Sequence, residues 1–140
     1  MDSKAKGKLK PMGVNILIVD DDPVVRHILG SVLKAAGHIV EQALSGAACI
    51  ELLSNRTGDD FPALIFLDLQ LGDMTGADVL AEIRRITAPN DVPVIMLSAN
   101  SEAETQALFP ELKADGYLEK PFPPQRVLEV LQAVVGSNVA

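Results

Sequence analysis

The sequence predicts an α/β fold, a (βα)5 doubly wound parallel sheet of five strands. Three observations point to it. From Val14 onward, apolar runs of strand length alternate with stretches of helical apolar spacing, with no Gly/Ser- or Pro-rich linker and no repeat. Ala63–Asp68 is almost wholly apolar, as a strand covered on both faces of a parallel sheet should be. Four of the runs end abruptly on a polar group, at Asp20, Asp68, Ser98 and Lys120. Ligands bind at the carboxyl ends of the strands in such sheets, so these four are expected to share one site.

Residues 1–12 are expected to form a flexible basic tail, residues 13–136 the single domain, and residues 137–140 a short C-terminal tail. Asn15–Asp20 reads as the first strand. Asp22-Pro23 then starts a helix, with Asp at the N-cap and Pro at the first helical position. Val24, Val25, Ile28, Leu29, Val32 and Leu33 form its expected apolar face, and Gly37 ends it. A weaker strand over His38–Leu44 leads into a helix from Ser45 to about Asn55. Arg56–Phe61 is a polar loop before the central strand Ala63–Asp68. Gly72 to Gly76 is a second loop, after which Val79, Leu80, Ile83 and Ile86 share a helix face. Val92–Ser98 is the fourth strand. Ser101-Glu102-Ala103-Glu104 has the form of a capping box opening a short helix, which Pro110 should terminate. Gly116–Lys120 is the fifth strand. Pro123-Pro124 starts a last helix, with Val127, Leu128, Leu131, Val134 and Val135 expected to face inward.

A chain of 140 residues with 48% apolar content can bury a core without disulfides or a structural metal. Its apolar runs are far too short to span a bilayer, and its start lacks the pattern of a secretory signal. No membrane insertion is expected, and the location is expected to be cytoplasmic. Cys49 is the single cysteine and reads as a small buried thiol, since nothing cationic lies beside it. The net charge is −7, yet Lys4, Lys6, Lys8 and Lys10 against Asp2 give the first twelve residues +3, which leaves −10 for the rest. A domain this acidic repels phosphate backbones, which argues against direct nucleic-acid binding.

Chemistry follows from the strand ends. Asp20, Asp21 and Asp68 come close together if their strands are neighbours, and three unpaired carboxylates repel one another. A hard divalent cation relieves this, and Mg2+ suits a site of carboxylates that must also meet phosphate oxygens. Three carboxylates, one Mg2+ and Lys120 balance to zero charge. Lys120 would neutralise an incoming phosphoryl group and the Ser98 hydroxyl would hydrogen-bond one of its oxygens. Asp68 is the natural nucleophile, because it ends a buried central strand whereas Asp20 and Asp21 precede a helix.

With these residues in place, the chain resembles the receiver domain of two-component response regulators, of flavodoxin-like fold, from about Val14 to Gly136. The acidic pair after the first strand matches Asp20 and Asp21. The phospho-acceptor matches Asp68, the hydroxyl residue after the fourth strand Ser98, and the lysine of the Lys-Pro-Phe motif Lys120. The resemblance implies a phosphoryl group taken from a phosphohistidine on a sensor histidine kinase or histidine phosphotransfer protein. It implies that Gln70 offers Mg2+ its backbone carbonyl and that the Lys120–Pro121 peptide is cis. It also implies that Tyr117 turns inward as Ser98 moves to the phosphoryl group, altering a face of the fourth helix, fifth strand and fifth helix that docks a downstream protein. Such a face also allows a homodimer. Gln70 and Asn100, flanking the site, are where the rate of aspartyl-phosphate hydrolysis is expected to be tuned.

Departures from the family pattern spare the catalytic groups. Gly72 stands where a proline is usual, which should loosen the loop. Lys113 replaces the usual Gly after the fourth helix, and Ser98 is a smaller variant of the commoner threonine. Asp22 is expected to cap a helix, Asp73 and Asp78 to be solvated or capping, and His27 and His38 to be solvated surface residues. A flavodoxin-type mononucleotide binder would need a Gly- and hydroxyl-rich loop where Asp20-Asp21-Asp22 stand. A haloacid-dehalogenase-type phosphohydrolase would need Asp where Gln70 stands, so a turnover enzyme is not expected. A constitutive protein-binding module, indifferent to phosphorylation, is the remaining alternative.

Overall fold

The computed structural model describes residues 13–136. Both expected tails, 1–12 and 137–140, lie outside the described residues. The elements run β1 (Asn15–Val19), α1 (Pro23–Ala35), β2 (Ile39–Ala43), α2 (Gly46–Ser54), a 3-10 turn (Gly58–Asp60), β3 (Leu64–Asp68), α3 (Gly76–Thr87), β4 (Val94–Ser98), α4 (Glu102–Leu108), β5 (Gly116–Glu119) and α5 (Pro124–Val135). All strand pairs are parallel, and the sheet order is β2-β1-β3-β4-β5. The expected (βα)5 doubly wound sheet is what forms. Its order reverses between β1 and β3, the place where such sheets bind ligands.

The strands' two-residue period sorts their side chains onto opposite faces. Leu17, Val19, Ile65, Leu67 and Met96 pack with Cys49, Leu53, Val79 and Ile83 on the α2–α3 side. Ile16, Ile18, Phe66 and Ile95 pack with Leu29, Leu33, Val127 and Leu131 on the α1–α5 side. All five residues of β3 and all five of β4 are buried. Cys49 lies fully in the core, where burial pushes its thiol up to about 12, so it packs as an inert hydrophobe.

Local signals set the helix starts. The Asp22 carboxylate accepts from the Val24 N–H at 2.9 Å, and Pro23 follows it. Ser45 and Thr75 cap α2 and α3 in the same way. Ser101 and Glu104 complete the expected capping box on α4. The Lys120–Pro121 peptide is cis, as the resemblance implies.

Two expected apolar faces need correction. On α1, Val24 and Ile28 are exposed while Leu29 and Leu33 are buried. Each exposed residue precedes an inward one and is therefore turned about 100° round the helix, past the sheet's reach. On α5, Leu128 follows the inward Val127 and is turned out by the same step round the helix, and Val130 takes the buried place. The inward set is Val127, Val130, Leu131 and Val134, the i, i+3, i+4, i+7 stripe, with Val135 packed beside it as expected.

Candidate functional site

Each functional side chain sits where its strand stops. β1 and β3 pair with Val19 beside Leu67, so the next residues, Asp20 and Asp68, are carried on adjacent strands at one level. β4 lies on the other side of β3 and ends at Ser98. β5 pairs Glu119 with Ser98, and the Lys120 N–H then donates to the Ser98 carbonyl at 2.7 Å. Four neighbouring strands thus bring Asp20, Asp68, Ser98 and Lys120 to the rim of a cleft of about 200 Å3, which Asp21, Gln70 and Asn100 also line. A larger groove of about 580 Å3 lies between α3 and the α4–β5 connection, but it gathers no comparable set of converging carboxylates.

The Lys120 Nζ lies 3.0 Å from Asp20 Oδ2 and 3.2 Å from Asp68 Oδ1. Burial works to lower the pKa of Lys120, but its contacts with the two carboxylates outweigh that and hold it above the ordinary lysine value. Asp68 is pushed up to about 6, first by burial and then by repulsion from Asp20, against the opposing pull of Lys120. One lysine is insufficient for two buried carboxylates.

A cation fits this deficit. Oxygens of Asp20, Asp21 and Asp68 all lie within 4.8 Å of one another. Asp20 Oδ2 is fully buried and faces only the Lys120 ammonium, which Asp68 shares. Asp20 Oδ1 is occupied by the Asp22 N–H at 2.9 Å. Three clustered carboxylates that share a single lysine suit a hard ion such as Mg2+. Asp21, by contrast, is exposed and offers its carboxylate from the cleft mouth.

Some groups that shape the site had not been singled out. Arg26 on α1 donates to the Asp20 carbonyl at 2.9 Å and to Gln42 Oε1 at 3.1 Å, bracing the acidic end of β1. Thr105 on α4 is fully buried, and its hydroxyl lies 2.9 Å from Ser98 Oγ. Ser98 Oγ also accepts from the Asn100 N–H at 3.0 Å. The signal for Thr105 was a hydroxyl on the inner face of a short helix, but the helix phase was too short to read.

The loop after Asp68 is anchored at several points, although Gly72 was expected to loosen it. The Gln70 N–H donates to Asp68 Oδ1 at 3.3 Å, and Gln70 bridges to Thr75. Asp73 is a cap in trans: its carboxylate accepts from the Gly46 and Ala47 N–H groups at 3.0 and 2.9 Å, at the start of α2. Those two bonds hold the Asp73 carboxyl below the usual range. His38 is also less free than expected. Its Nδ1 accepts from the Val14 N–H at 3.2 Å, and partial burial lowers its pKa.

Tyr117 is half-buried on β5. It packs against the α2–α3 side of the core and lines a cleft with Glu102, Glu119, Phe122 and Arg126, on the face formed by α4, β5 and α5. Among the described residues, no helix is long and apolar enough to cross a membrane.

Comparison with known proteins agrees with this geometry. The profile of the family described as "Response regulator receiver domain" matches residues 16–132. The chain is 32% identical over 124 residues to the phosphate regulon transcriptional regulatory protein PhoB of Pseudomonas aeruginosa, covering 89% of this chain and 52% of that one. It is 34% identical over 124 residues to the DNA-binding dual master transcriptional regulator RpaA of Synechocystis, covering 86% and 48%. The chain therefore spans about half the length of these curated relatives. Among solved structures, the chemotaxis response regulator CheY4 of Vibrio cholerae superposes with a TM-score of 0.77 at 28% identity, over 88% of this chain and 98% of that one. The receiver domain of a Pseudomonas aeruginosa sensor histidine kinase, solved with a magnesium ion in its active-site cleft, gives 0.77 at 26% identity, over 89% and 99%.

Proposed function

Because this chain belongs to the family of response regulator receiver domains, we propose that it accepts a phosphoryl group on Asp68 and switches a protein-binding face in response. The observation that carries the reading is the convergence of Asp20, Asp68, Ser98 and Lys120 at the ends of four adjacent strands, with one lysine shared between two buried carboxylates.

An oxygen of the Asp68 carboxylate attacks the phosphorus of a phosphohistidine. The P–N bond breaks, the imidazole leaves with the electron pair, and it takes up a proton from solvent. Lys120, already against Asp68, neutralises the charge carried in by the phosphoryl oxygens, and the Ser98 hydroxyl donates to one of them. Asp20, Asp21, Asp68 and the Gln70 carbonyl would hold Mg2+, whose charge offsets carboxylate and phosphoryl repulsion when bound. The side chains of Gln70 and Asn100 border the cleft and tune how readily water reaches the acyl phosphate. Because Gln70 stands where a phosphohydrolase would place a second Asp, the domain is an acceptor with slow self-hydrolysis and not a turnover enzyme.

The donor is a sensor histidine kinase or a histidine phosphotransfer protein, and the domain works in the cytoplasm. Its downstream partner docks on the α4–β5–α5 face around Tyr117, either as a separate protein or as a second copy of this chain.

Chemical trapping tests the assignment. Hydroxylamine attacks an aspartyl phosphate and leaves a hydroxamate, which peptide mass mapping locates. The mark is expected on Asp68; a mark on Asp20 or Asp21, or a phosphate on Ser98 or a histidine, would refute the reading.

A further inference from the structure

Ser98 is bonded to α4 and to the loop that follows β4. Its Oγ lies 2.9 Å from Thr105 Oγ1, and both residues are buried, Thr105 fully and Ser98 at 4% exposure. The Asn100 N–H adds a third partner at 3.0 Å. Thr105 sits in the middle of α4, the first helix of the proposed output face, so this bond joins the reaction cleft to that helix.

A hydroxyl carries one proton and donates one hydrogen bond. If Ser98 is the donor to Thr105, it must withdraw that proton before giving it to a phosphoryl oxygen. If Thr105 is the donor, Ser98 must still turn its oxygen to meet a phosphoryl oxygen, and the 2.9 Å contact with Thr105 weakens steeply as distance and angle depart from that geometry. Either way the bond between Ser98 and Thr105, made where water does not reach, is lost on switching.

Resting on the receiver reading, we propose that Thr105 is the latch that holds Ser98 in its resting position and sets how readily the chain enters its phosphorylated conformation. Thr105 touches no reacting atom. It is a positioning residue that acts through Ser98, and it couples the turn of Ser98 to the seating of α4. Thr105→Val keeps the side-chain shape and removes the hydroxyl, so the resting state loses a hydrogen bond that the switched state does not have. The population should move toward the switched state without any phosphoryl group.

Beryllium fluoride with saturating Mg2+ is the probe, since it mimics an aspartyl phosphate. Its affinity is read by titration calorimetry on the wild type, Thr105→Val, Thr105→Ala, Thr105→Ser and Asp68→Asn. Wild type is expected to bind and Asp68→Asn not to. Thr105→Val and Thr105→Ala should bind about fivefold tighter or more than wild type, whereas Thr105→Ser, which restores the hydroxyl, should stay within about twofold of it. Simple damage to α4 would weaken binding, so a gain separates the latch from a structural role. Thr105→Val and Thr105→Ala that bind equally or more weakly than wild type would overturn the latch while leaving the receiver reading intact. A wild type that does not bind the probe would overturn the receiver reading, and the latch with it.

Discussion

A Cβ placed on Gly76 would stand 2.5 Å from the carbonyl oxygen of Asp68 and 2.6 Å from the Cα of Leu69. The chain therefore returns to begin α3 directly against the backbone of Asp68, and the Gly76 N–H donates to the Leu69 carbonyl at 2.6 Å. Only a residue without a side chain permits that approach, because the obstructing atoms are main chain. Gly76→Ala should cost about 1–3 kcal/mol of stability and displace Asp68. Urea unfolding measures the first effect and Mg2+ affinity the second; a stable variant with unchanged affinity would contradict the contact.

Asp68 should destabilise the domain in the absence of metal. Its folded pKa, about 6, lies above the ordinary 3.8, so ionising it costs more in the folded chain than in the unfolded one. The sign follows: this contribution is harmless below pH 4, and the cost grows as pH rises from about 4 to about 6, remaining constant above. Asp68→Asn is therefore expected to be more stable than wild type by about 2 kcal/mol at pH 7.5 without Mg2+. The gap should close below pH 4. Denaturant titrations at three pH values check this, and a destabilised variant at pH 7.5 would contradict it.

Asp73 behaves in the opposite sense. Its carboxylate accepts two N–H groups at the start of α2, and its pKa is lowered. Its stabilising effect is present above the ordinary carboxylate pKa and is lost as pH falls through its own lower value. Asp73→Ala should lower the thermal midpoint at pH 7, with the difference shrinking in acid. An identical midpoint for the two proteins at neutral pH would show that the loop does not depend on this cap.

Gly72 is replaceable. Its backbone is not in the left-handed region, and a Cβ there would meet Asp21 Oδ2 at an ordinary 3.6 Å. Gly72→Ala should raise stability by about 0.4–1 kcal/mol by restricting the unfolded chain. A loss of stability in urea unfolding would mean that the loop needs the freedom of glycine.

Much of this molecule is legible in the sequence because its signals are local. A strand that ends on Asp20 or Asp68 carries its functional group at a known end, and parallel order then gathers those ends. Asp22-Pro23 and Ser101–Glu104 declare helix starts through capping chemistry that acts within a turn. What escaped depends on distance or on fine phase. Thr105 bonds to Ser98 across the β4–α4 junction, Arg26 reaches the Asp20 carbonyl, and Asp73, expected to be solvated or capping, caps a helix that begins 27 residues earlier and not its own. None of these has a spacing rule. Val24, Ile28 and Leu128 were misplaced because an apolar stripe read from sequence has soft edges, and packing against the sheet decides which edge is covered.

The most direct measurement is the intact mass of the protein after incubation with acetyl phosphate, with and without Mg2+, beside Asp68→Asn. One added phosphoryl group is expected in wild type with Mg2+, and none in Asp68→Asn or after chelation. A folded wild type that gains no mass under any of these conditions, or an Asp68→Asn variant that gains it equally, would contradict the assignment of Asp68 as the acceptor.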